Sequence, residues 1–223
     1  GEWFLGDLLS MCDEYPDELT EKSTRACQTL SRWDMKTNID SIGNQVFYLF
    51  WQKARKIDNL HTLPFDPEKP LDTPRGLNTK DRDIRLQLIQ SLDYAVDVFD
   101  DNLLPLDAKW GDLQYEIRNG KKIPLFGGGF DAGNFSAMRA RLTKGEGWSE
   151  ILHGNSYIQT VTWNDDGVVA EGILSYSQSS DPANPHYQDQ TELYSEKKWV
   201  KLPFTEEEIL SDPNLKIIEI KSD

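Results

Sequence analysis

The sequence is poor in cysteine and histidine, since its 223 residues include only two cysteines and three histidines. The histidines, His61, His153 and His186, lie far apart, and none belongs to a His-Glu-x-x-His sequence. Zinc sites need ligands at short local spacing, so neither a metal nor a cofactor is expected. Cys12 and Cys27 either pair or remain two buried thiols, because spacing alone does not decide between these states.

Basic residues and long apolar runs are also scarce. Lysine and arginine total 24 against 38 acidic residues, which gives a net charge of -14. The negative electrostatic potential of such a chain repels phosphate backbones and anionic lipid surfaces, so nucleic-acid binding and polybasic membrane binding are not expected. No apolar run approaches the ~20 residues that cross a bilayer, and the first ten residues lack the pattern of a signal peptide. We expect a globular chain with no membrane role.

Sequence motifs of common active sites are absent as well. The fragment nearest to the Gly-x-Ser-x-Gly elbow of serine hydrolases, "GNSYI" at Gly154, lacks the second glycine. The glycine-rich stretch "LFGGGFDAGNF" has no Lys-Ser or Lys-Thr after it and follows no strand-to-helix turn. We interpret it as a loop with positive φ angles rather than as a phosphate cradle.

The first half of the chain has the pattern of helices. A helix capped by Asp40 or Ser41 would carry a wide apolar stripe, and a second helix would begin after Asn78 or Thr79 and end near Asn102. The intervening "LPFDPEKPLDTPRGL" contains four prolines, which forbid a regular helix or a central strand. It is interpreted as an extended connector, with a substrate-lining loop as the alternative.

The second half has the pattern of β-hairpins. Asn119-Gly120 separates two short strand-like runs, and "NDDG" separates "SYIQTVTW" from "VVAEGILSY". Thr205 and Glu208 form a capping-box pattern for a short helix, and "LKIIEI" predicts a closing strand. The predicted class is therefore α+β, mainly helical over 1–105 and hairpin-rich over 106–223. No linker or repeat marks a boundary, so 1–223 is predicted to be one segment.

The stretch "YSQSSDPANPHYQDQ" resembles a catalytic loop in composition. Ser177 or Ser179, His186 and Asp189 are the residue types of a nucleophile, a base and its orienting acid. Residues so near in sequence rarely supply all three, and Asp181-Pro182 and Asn184-Pro185 favour a turn. We interpret the stretch as a structural corner before a helix.

Six further stretches carry a family resemblance. In chain order they are "ACQTLSRWD", "DSIGNQVFYLFW", "PFDPEKPLDTPRGL", "WGDLQ", "HGNSYIQTV" and "YSQSSDPANPHYQDQTELYSEKKWVKLPFTEEEI". They resemble the final part of the large chain of the penicillin acylase family, and most of all its acyl-homoserine lactone acylases. The resemblance runs from about Cys27 to the C-terminus. It therefore implies that this chain is the C-terminal segment of an enzyme.

The resemblance implies an N-terminal-nucleophile hydrolase with a four-layer αββα core. Such a precursor cuts itself into a small and a large chain, acts on linear N-acyl amides and works in the periplasm or outside the cell. Removal of the acyl chain from acyl-homoserine lactones would quench quorum signalling. The nucleophile, the catalytic histidine and the oxyanion-hole asparagine would lie upstream of Gly1, which itself has no hydroxyl or thiol. No catalytic residue is therefore expected here, and the isolated chain is predicted to be inactive.

One position could still approach the active site. Several relatives have, after the "HG" of an "HGxSY" motif, an acid that orients the catalytic imidazole, and that position is Asn155 here. Asn155 can accept a hydrogen bond but cannot stabilise an imidazolium as a carboxylate does. The alternative is an asparagine that turns the chain into the next strand. We interpret His153 as a packed or capping histidine.

The implied partners are the upstream part of the large chain, the small chain and a small N-acyl amide. Strands near Ser156 to Tyr176 would then lack their neighbours, so the isolated chain is predicted to self-associate. The alternative function is a self-sufficient, non-catalytic ligand-binding or interaction module with Trp3, Trp110 or Trp199 on its contact surface.

Overall fold

The computed structural model describes residues 2–129 and 133–220. The chain divides into two compact units, Gly1–Gly154 and Asn155–Asp223. The first unit contains five helices among its described residues: α1 (Leu5–Glu14), α2 (Glu21–Leu30), α3 (Asn44–Ala54), α4 (Arg82–Asp101) and α5 (Trp110–Leu113). The described residues contain no helix that is both long and apolar enough to cross a membrane.

Helix α4 is the centre of the first unit. The side chains of Leu88, Leu92 and Val96 are fully buried along one face, at the spacing of successive helical turns. Helices α2 and α3 both pack against α4 and cover this face. Asp81 caps α4, since its carboxylate accepts hydrogen bonds from the backbone N–H groups of Asp83 and Ile84. The predicted second helix is confirmed, although it begins a few residues later than expected.

Helices α1 and α2 are joined by a disulfide between Cys12 and Cys27, whose Cα atoms are 6.4 Å apart. The bond closes a loop with a sequence separation of 15 residues. Both cysteines belong to the apolar core of the unit. Of the two states that the sequence left open, the structure has the paired one.

A nearly buried ion pair joins α4 to the turn Pro16–Glu18 that follows α1. The Arg85 guanidinium donates to both carboxylate oxygens of Glu18, at 2.9 and 2.6 Å, and also to the carbonyl of Thr79 at 2.9 Å. The central carbon of the guanidinium, Cζ, lies 3.8 Å from the centre of the Tyr15 ring. All three nitrogens of the guanidinium therefore donate to an acceptor, which is what a charge removed from water requires.

The rest of the first unit consists of short antiparallel pairs. They are β1 (His61–Leu63) with β2 (Arg75–Leu77), β3 (Tyr115–Arg118) with β4 (Lys121–Pro124), and β5 (Met138–Thr143) with β6 (Gly147–Gly154). Asn119 and Gly120 turn the second pair with φ of 48° and 76°, as their sequence predicts. The proline-bearing connector lies between β1 and β2, and the pair β5–β6 was not predicted.

The second unit is built on a three-stranded antiparallel sheet in the order β7-β8-β9. Its strands are β7 (Tyr157–Asn164), β8 (Gly167–Leu174) and β9 (Val200–Leu202), and its helices are α6 (Asp189–Ser195) and α7 (Glu206–Leu210). The predicted hairpin and the Thr205–Glu208 capping box are confirmed. Helices followed by antiparallel hairpins confirm the α+β class.

Two local predictions are wrong. Helix α3 is not capped by Asp40 or Ser41, because Gly43, with φ of 90°, precedes its first residue and makes no side-chain cap. The stretch "LKIIEI" is not a strand, since residues 215–220 have no regular structure and no neighbouring strand in the described chain. The isoleucines of this stretch are 80% to 92% exposed. Strand propensity without a neighbour to pair with does not form a strand.

We expect replacement of both Cys12 and Cys27 by serine to lower the free energy of unfolding of the chain by about 3 kcal/mol, the loop-closure contribution of a 15-residue loop. Urea unfolding followed by circular dichroism measures this change. Thiol alkylation of the denatured, unreduced wild-type protein should modify neither cysteine. Alkylation of both residues would contradict the pairing.

The Arg85–Glu18 pair predicts a pH dependence of stability. Hydrogen bonding to Arg85 holds the pKa of the Glu18 carboxyl below its usual value of 4.5. A lowered folded-state pKa stabilises the fold above the unfolded-state pKa, and this contribution is lost as the pH falls through the folded-state pKa. Glu18→Gln should therefore lower the melting temperature at neutral pH and by less as the pH falls below 4.5. Asp17→Asn, at an exposed neighbouring carboxylate, is the control and should lower the melting temperature at neutral pH by less than Glu18→Gln does.

Candidate functional site

The candidate triad residues, Ser177 or Ser179 with His186 and Asp189, do not form a catalytic triad. The His186 Nδ1 lies 2.8 Å from the Asp189 Oδ2, so the base and the acid do meet. The Ser177 hydroxyl, however, accepts a hydrogen bond from the backbone N–H of Thr191 at 2.9 Å. The Ser179 hydroxyl accepts one from the backbone N–H of Asp181 at 3.1 Å. In the part of the chain that the structure describes, neither serine is activated by the imidazole.

The same stretch is held as a corner by turn chemistry. Asp181 accepts from the backbone N–H of Ala183 at 2.9 Å, and Asn184 accepts from that of His186 at 2.8 Å. The His186 carbonyl accepts from the backbone N–H groups of Gln178 and Ser179, both at 3.1 Å. These bonds connect the end of β8 to the start of α6. The interpretation as a structural corner is confirmed.

The other candidates are scattered. Asn155 is half-buried between β6 and β7, and its role as an orienter of a catalytic histidine remains a prediction. His153 is exposed in the interior of β6 opposite Arg139, so the interpretation as a packed or capping histidine is wrong. Trp110 is 2% exposed, which removes it from any contact surface, whereas Trp3 is exposed.

Two described glycines of the glycine-rich stretch, Gly128 and Gly129, line a pocket, and Gly127 precedes them. Gly127 has φ of 91° and its carbonyl accepts from the Trp110 indole at 2.8 Å, while its N–H donates to the carbonyl of Thr37 at 2.9 Å. A side chain on Gly127 would meet the backbone of Ser136, so the position requires glycine. Residues 130–132 of this stretch lie outside the described residues. The described residues also form no group of three or more potential metal ligands.

The first unit has an open pocket of about 270 Å³ at the start of α3. Its wall contains aromatic side chains, the side chains of two residues in the first turn of α3, Gly128, Gly129 and Asn134, together with a short loop before α3. Its lining residues include Phe4, Trp33, Asn44, Gln45, Phe47 and Trp51. The set combines an apolar surface with a few polar groups, which is typical of ligand-binding sites.

Aromatic rings form the apolar wall of this pocket. Phe4 stacks on Trp51 with ring centroids 4.9 Å apart, and Trp33 lies 4.9 Å from Phe47. The planes of Phe47 and Trp51 are nearly parallel, with centroids 6.4 Å apart. The Trp33 indole donates to the Lys36 carbonyl at 2.8 Å, which holds this ring in place. The wall is therefore preorganised by contacts among its own members.

Asn44 and Gln45 are the polar part of the wall. They are 6% and 9% exposed and lie in the first turn of α3. Within residues 2–129 and 133–220 their carboxamides have no hydrogen-bond partner, whereas Asn134 across the pocket is held by Thr37 at 2.9 Å and by the Gly129 carbonyl at 2.9 Å. Their polar atoms are not among the fully buried, unpartnered atoms of the described residues, so they face the open pocket, where a ligand can reach them.

The backbone conformation of Gly43 determines where the amides of Asn44 and Gln45 lie. A Cβ at this position would lie 3.1 Å from the Trp33 Cβ and 3.2 Å from the carbonyl oxygen of Thr29, and the φ of 90° is one that other residues rarely adopt. Glycine lets the chain pass Trp33 closely and begin α3 at once. The sequence pattern predicted this stretch only as part of a helix and of the family resemblance. Two amides directly before the run "VFYLFW" are the signal that could have indicated a polar site.

Comparison with known proteins identifies the family. The Penicillin amidase family model matches residues 2–211. This chain belongs to the penicillin amidase family. The N-terminal-nucleophile hydrolase fold follows from that membership, and the predicted resemblance is confirmed.

Three relatives are named as acylases. The chain is 35% identical to the acyl-homoserine lactone acylase PvdQ of Pseudomonas syringae pv. syringae over 210 residues, which are 94% of this chain and 27% of the relative. It is 34% identical to PvdQ of Pseudomonas syringae pv. tomato over 97% of the chain and 28% of the relative. It is 30% identical to the aculeacin-A acylase of Actinoplanes utahensis over 96% of the chain and 27% of the relative. The chain thus spans little more than a quarter of these penicillin amidase family members.

Proposed function

We propose that this chain is the C-terminal segment of an acylase that hydrolyses linear N-acyl amides, with N-acyl-homoserine lactones as the first candidates. The observation that carries the proposal is the family match over residues 2–211 together with relatives whose names describe acylases. The quorum-quenching role that such a reaction would have belongs to the same proposal.

The catalytic apparatus is proposed to lie in the remaining part of the protein. The match covers 27% of the Pseudomonas syringae pv. syringae acylase, so most of that relative has no counterpart here. In the described residues, the hydroxyls of the two candidate serines, Ser177 and Ser179, accept hydrogen bonds from the backbone N–H groups of Thr191 and Asp181. The proposed enzyme is made by autoproteolysis of a precursor, and the new terminal residue of its large chain is the nucleophile.

The sheet of the second unit supports the proposal that further strands are contributed by another part of the protein. Strand β7 is an edge strand, and Tyr157, Val161 and Trp163 are exposed on one of its faces, Trp163 by 72%. The opposite face also carries exposed residues, Thr160 among them. We propose that upstream strands of the large chain continue this sheet into the four-layer αββα core, with the small chain completing the enzyme.

The proposed compartment is the periplasm or the exterior of the cell. A disulfide between Cys12 and Cys27 forms and persists in oxidising surroundings, and such pairs are rare in the cytosol. This supports the compartment that the family resemblance implied.

We expect the purified 223-residue chain to release no homoserine lactone from N-acyl-homoserine lactones of several acyl lengths and no amine from a phenylacetyl amide. The longer polypeptide that contains it should hydrolyse at least one of these substrates. Liquid chromatography of the products measures both reactions. Turnover by the isolated chain above that of buffer would contradict the proposal.

The exposed edge and apolar surface predict self-association of the isolated chain. Sedimentation at several concentrations should show dimers or larger species, and Val161→Lys on the exposed face of β7 should reduce them because a charge opposes edge pairing. Gln28→Lys, the same charge change at an exposed site on α2, is the matched control. A stable monomer with a two-state unfolding transition would favour the self-sufficient binding module instead.

A further inference from the structure

We propose that the pocket at the start of α3 binds an extended polypeptide segment. One apolar side chain of that segment lies among the aromatic rings, and its neighbouring peptide groups pair with the carboxamides of Asn44 and Gln45. The segment belongs to the part of the acylase that precedes this chain. The source of the segment rests on the proposed function, whereas the peptide chemistry of the site does not.

The chemistry of the wall selects a neutral amide. Each carboxamide offers both N–H donors and a carbonyl acceptor, which matches a peptide group that needs one of each. Asn44 and Gln45 are 6% and 9% exposed and unpartnered within the described residues, so an occupant would gain bonds that the chain alone does not make. Lys36 is the one charged residue among the described lining residues. An occupant carrying several charges would leave them without counter-charges.

The rings select an apolar side chain beside that amide. The stacked pair Phe4 and Trp51 and the tilted pair Trp33 and Phe47 line the pocket with apolar ring surface. Aromatic faces of this kind bind other rings and aliphatic groups, and they gain from removal of water. The occupant therefore has an apolar side chain directly next to a polar amide group, as each residue of a peptide does.

The surface around the pocket favours a polypeptide over a small molecule. Met35 lines the pocket and is 53% exposed, and Trp3, next to the lining residue Phe4, is 39% exposed. Apolar exposure thus continues past the rim, where a small ligand would not cover it. The relatives indicate that the rest of the protein is long enough to provide such a segment. The match covers 27% of the Pseudomonas syringae pv. syringae acylase, so the remaining 73% of that relative lies outside this chain.

The peptide chemistry is tested with N-acetyl-phenylalanine amide, a neutral capped residue, by isothermal titration calorimetry on the purified chain. We expect saturable binding that is weaker for 2-phenylethanol, which has the ring without the amides. Gln45→Met and Asn44→Leu should each weaken the binding of the capped residue about fivefold through the loss of one hydrogen bond. Gln28→Leu, the same kind of change at an exposed site on α2, should leave it unchanged. Absence of saturable binding, or equal binding by the pocket variants, would overturn the proposal.

A second readout separates binding from a structural role. Because the Gln45 carboxamide makes no hydrogen bond within the described chain, Gln45→Met should keep or raise the melting temperature of the isolated chain. A clear decrease would assign the amide to the fold and not to a ligand, and would overturn the proposal.

The source of the segment is tested by supplying the upstream part of the acylase as a separate polypeptide. It should bind the wild-type chain, and Gln45→Met should weaken this complex about fivefold while Gln28→Leu does not. Equal binding by Gln45→Met, with weakened binding of the capped residue, would overturn the source and leave a small-molecule site. Recovery of amide hydrolysis on mixing reports on the proposed function alone, so its failure is distinguishable from failure of the pocket.

Discussion

Burial of one face of α4 is the interaction on which the first unit depends. Leu88, Leu92 and Val96 are removed from water by α2 on one side and α3 on the other. Each fully buried side chain of this size contributes about 2 kcal/mol before the loss of chain entropy is counted. Ion pairs between α2 and α4, such as Arg25 with Asp100 at 2.8 Å, lie at the surface and add little to this.

The pocket follows from this packing. Because α3 must lie against α4, its first turn is held beside Trp33, and the left-handed Gly43 lets the chain reach that position. The Trp110 indole and the Thr37 carbonyl then hold Gly127 opposite. The unpartnered amides thus face a wall that is held by other contacts. A site whose polar groups are kept free by a rigid frame loses little entropy when an occupant binds.

The two units differ in how completely they bury their apolar surface. The first has one contiguous core that includes α1 to α5 and Trp148 of β6. The second exposes Trp163 and Phe204, and the isoleucines of 215–220 have no cover within the described residues. This contrast is what a segment of a larger enzyme would have if one face of it were completed elsewhere, as proposed above.

The sequence by itself determined the local structure. Asn119-Gly120, the Thr205–Glu208 pattern and the apolar period of α4 each depend on a few neighbouring residues, so their elements were predicted. It also determined the family, because its motifs keep their order along the chain. The tertiary structure alone decided the pairing of Cys12 with Cys27, the start of α3 at Gly43 and the missing strand at 215–220. The pocket belongs to this second group, since its rings and amides come from segments that meet only when the core forms, and contacts between distant residues leave no periodic pattern in a sequence.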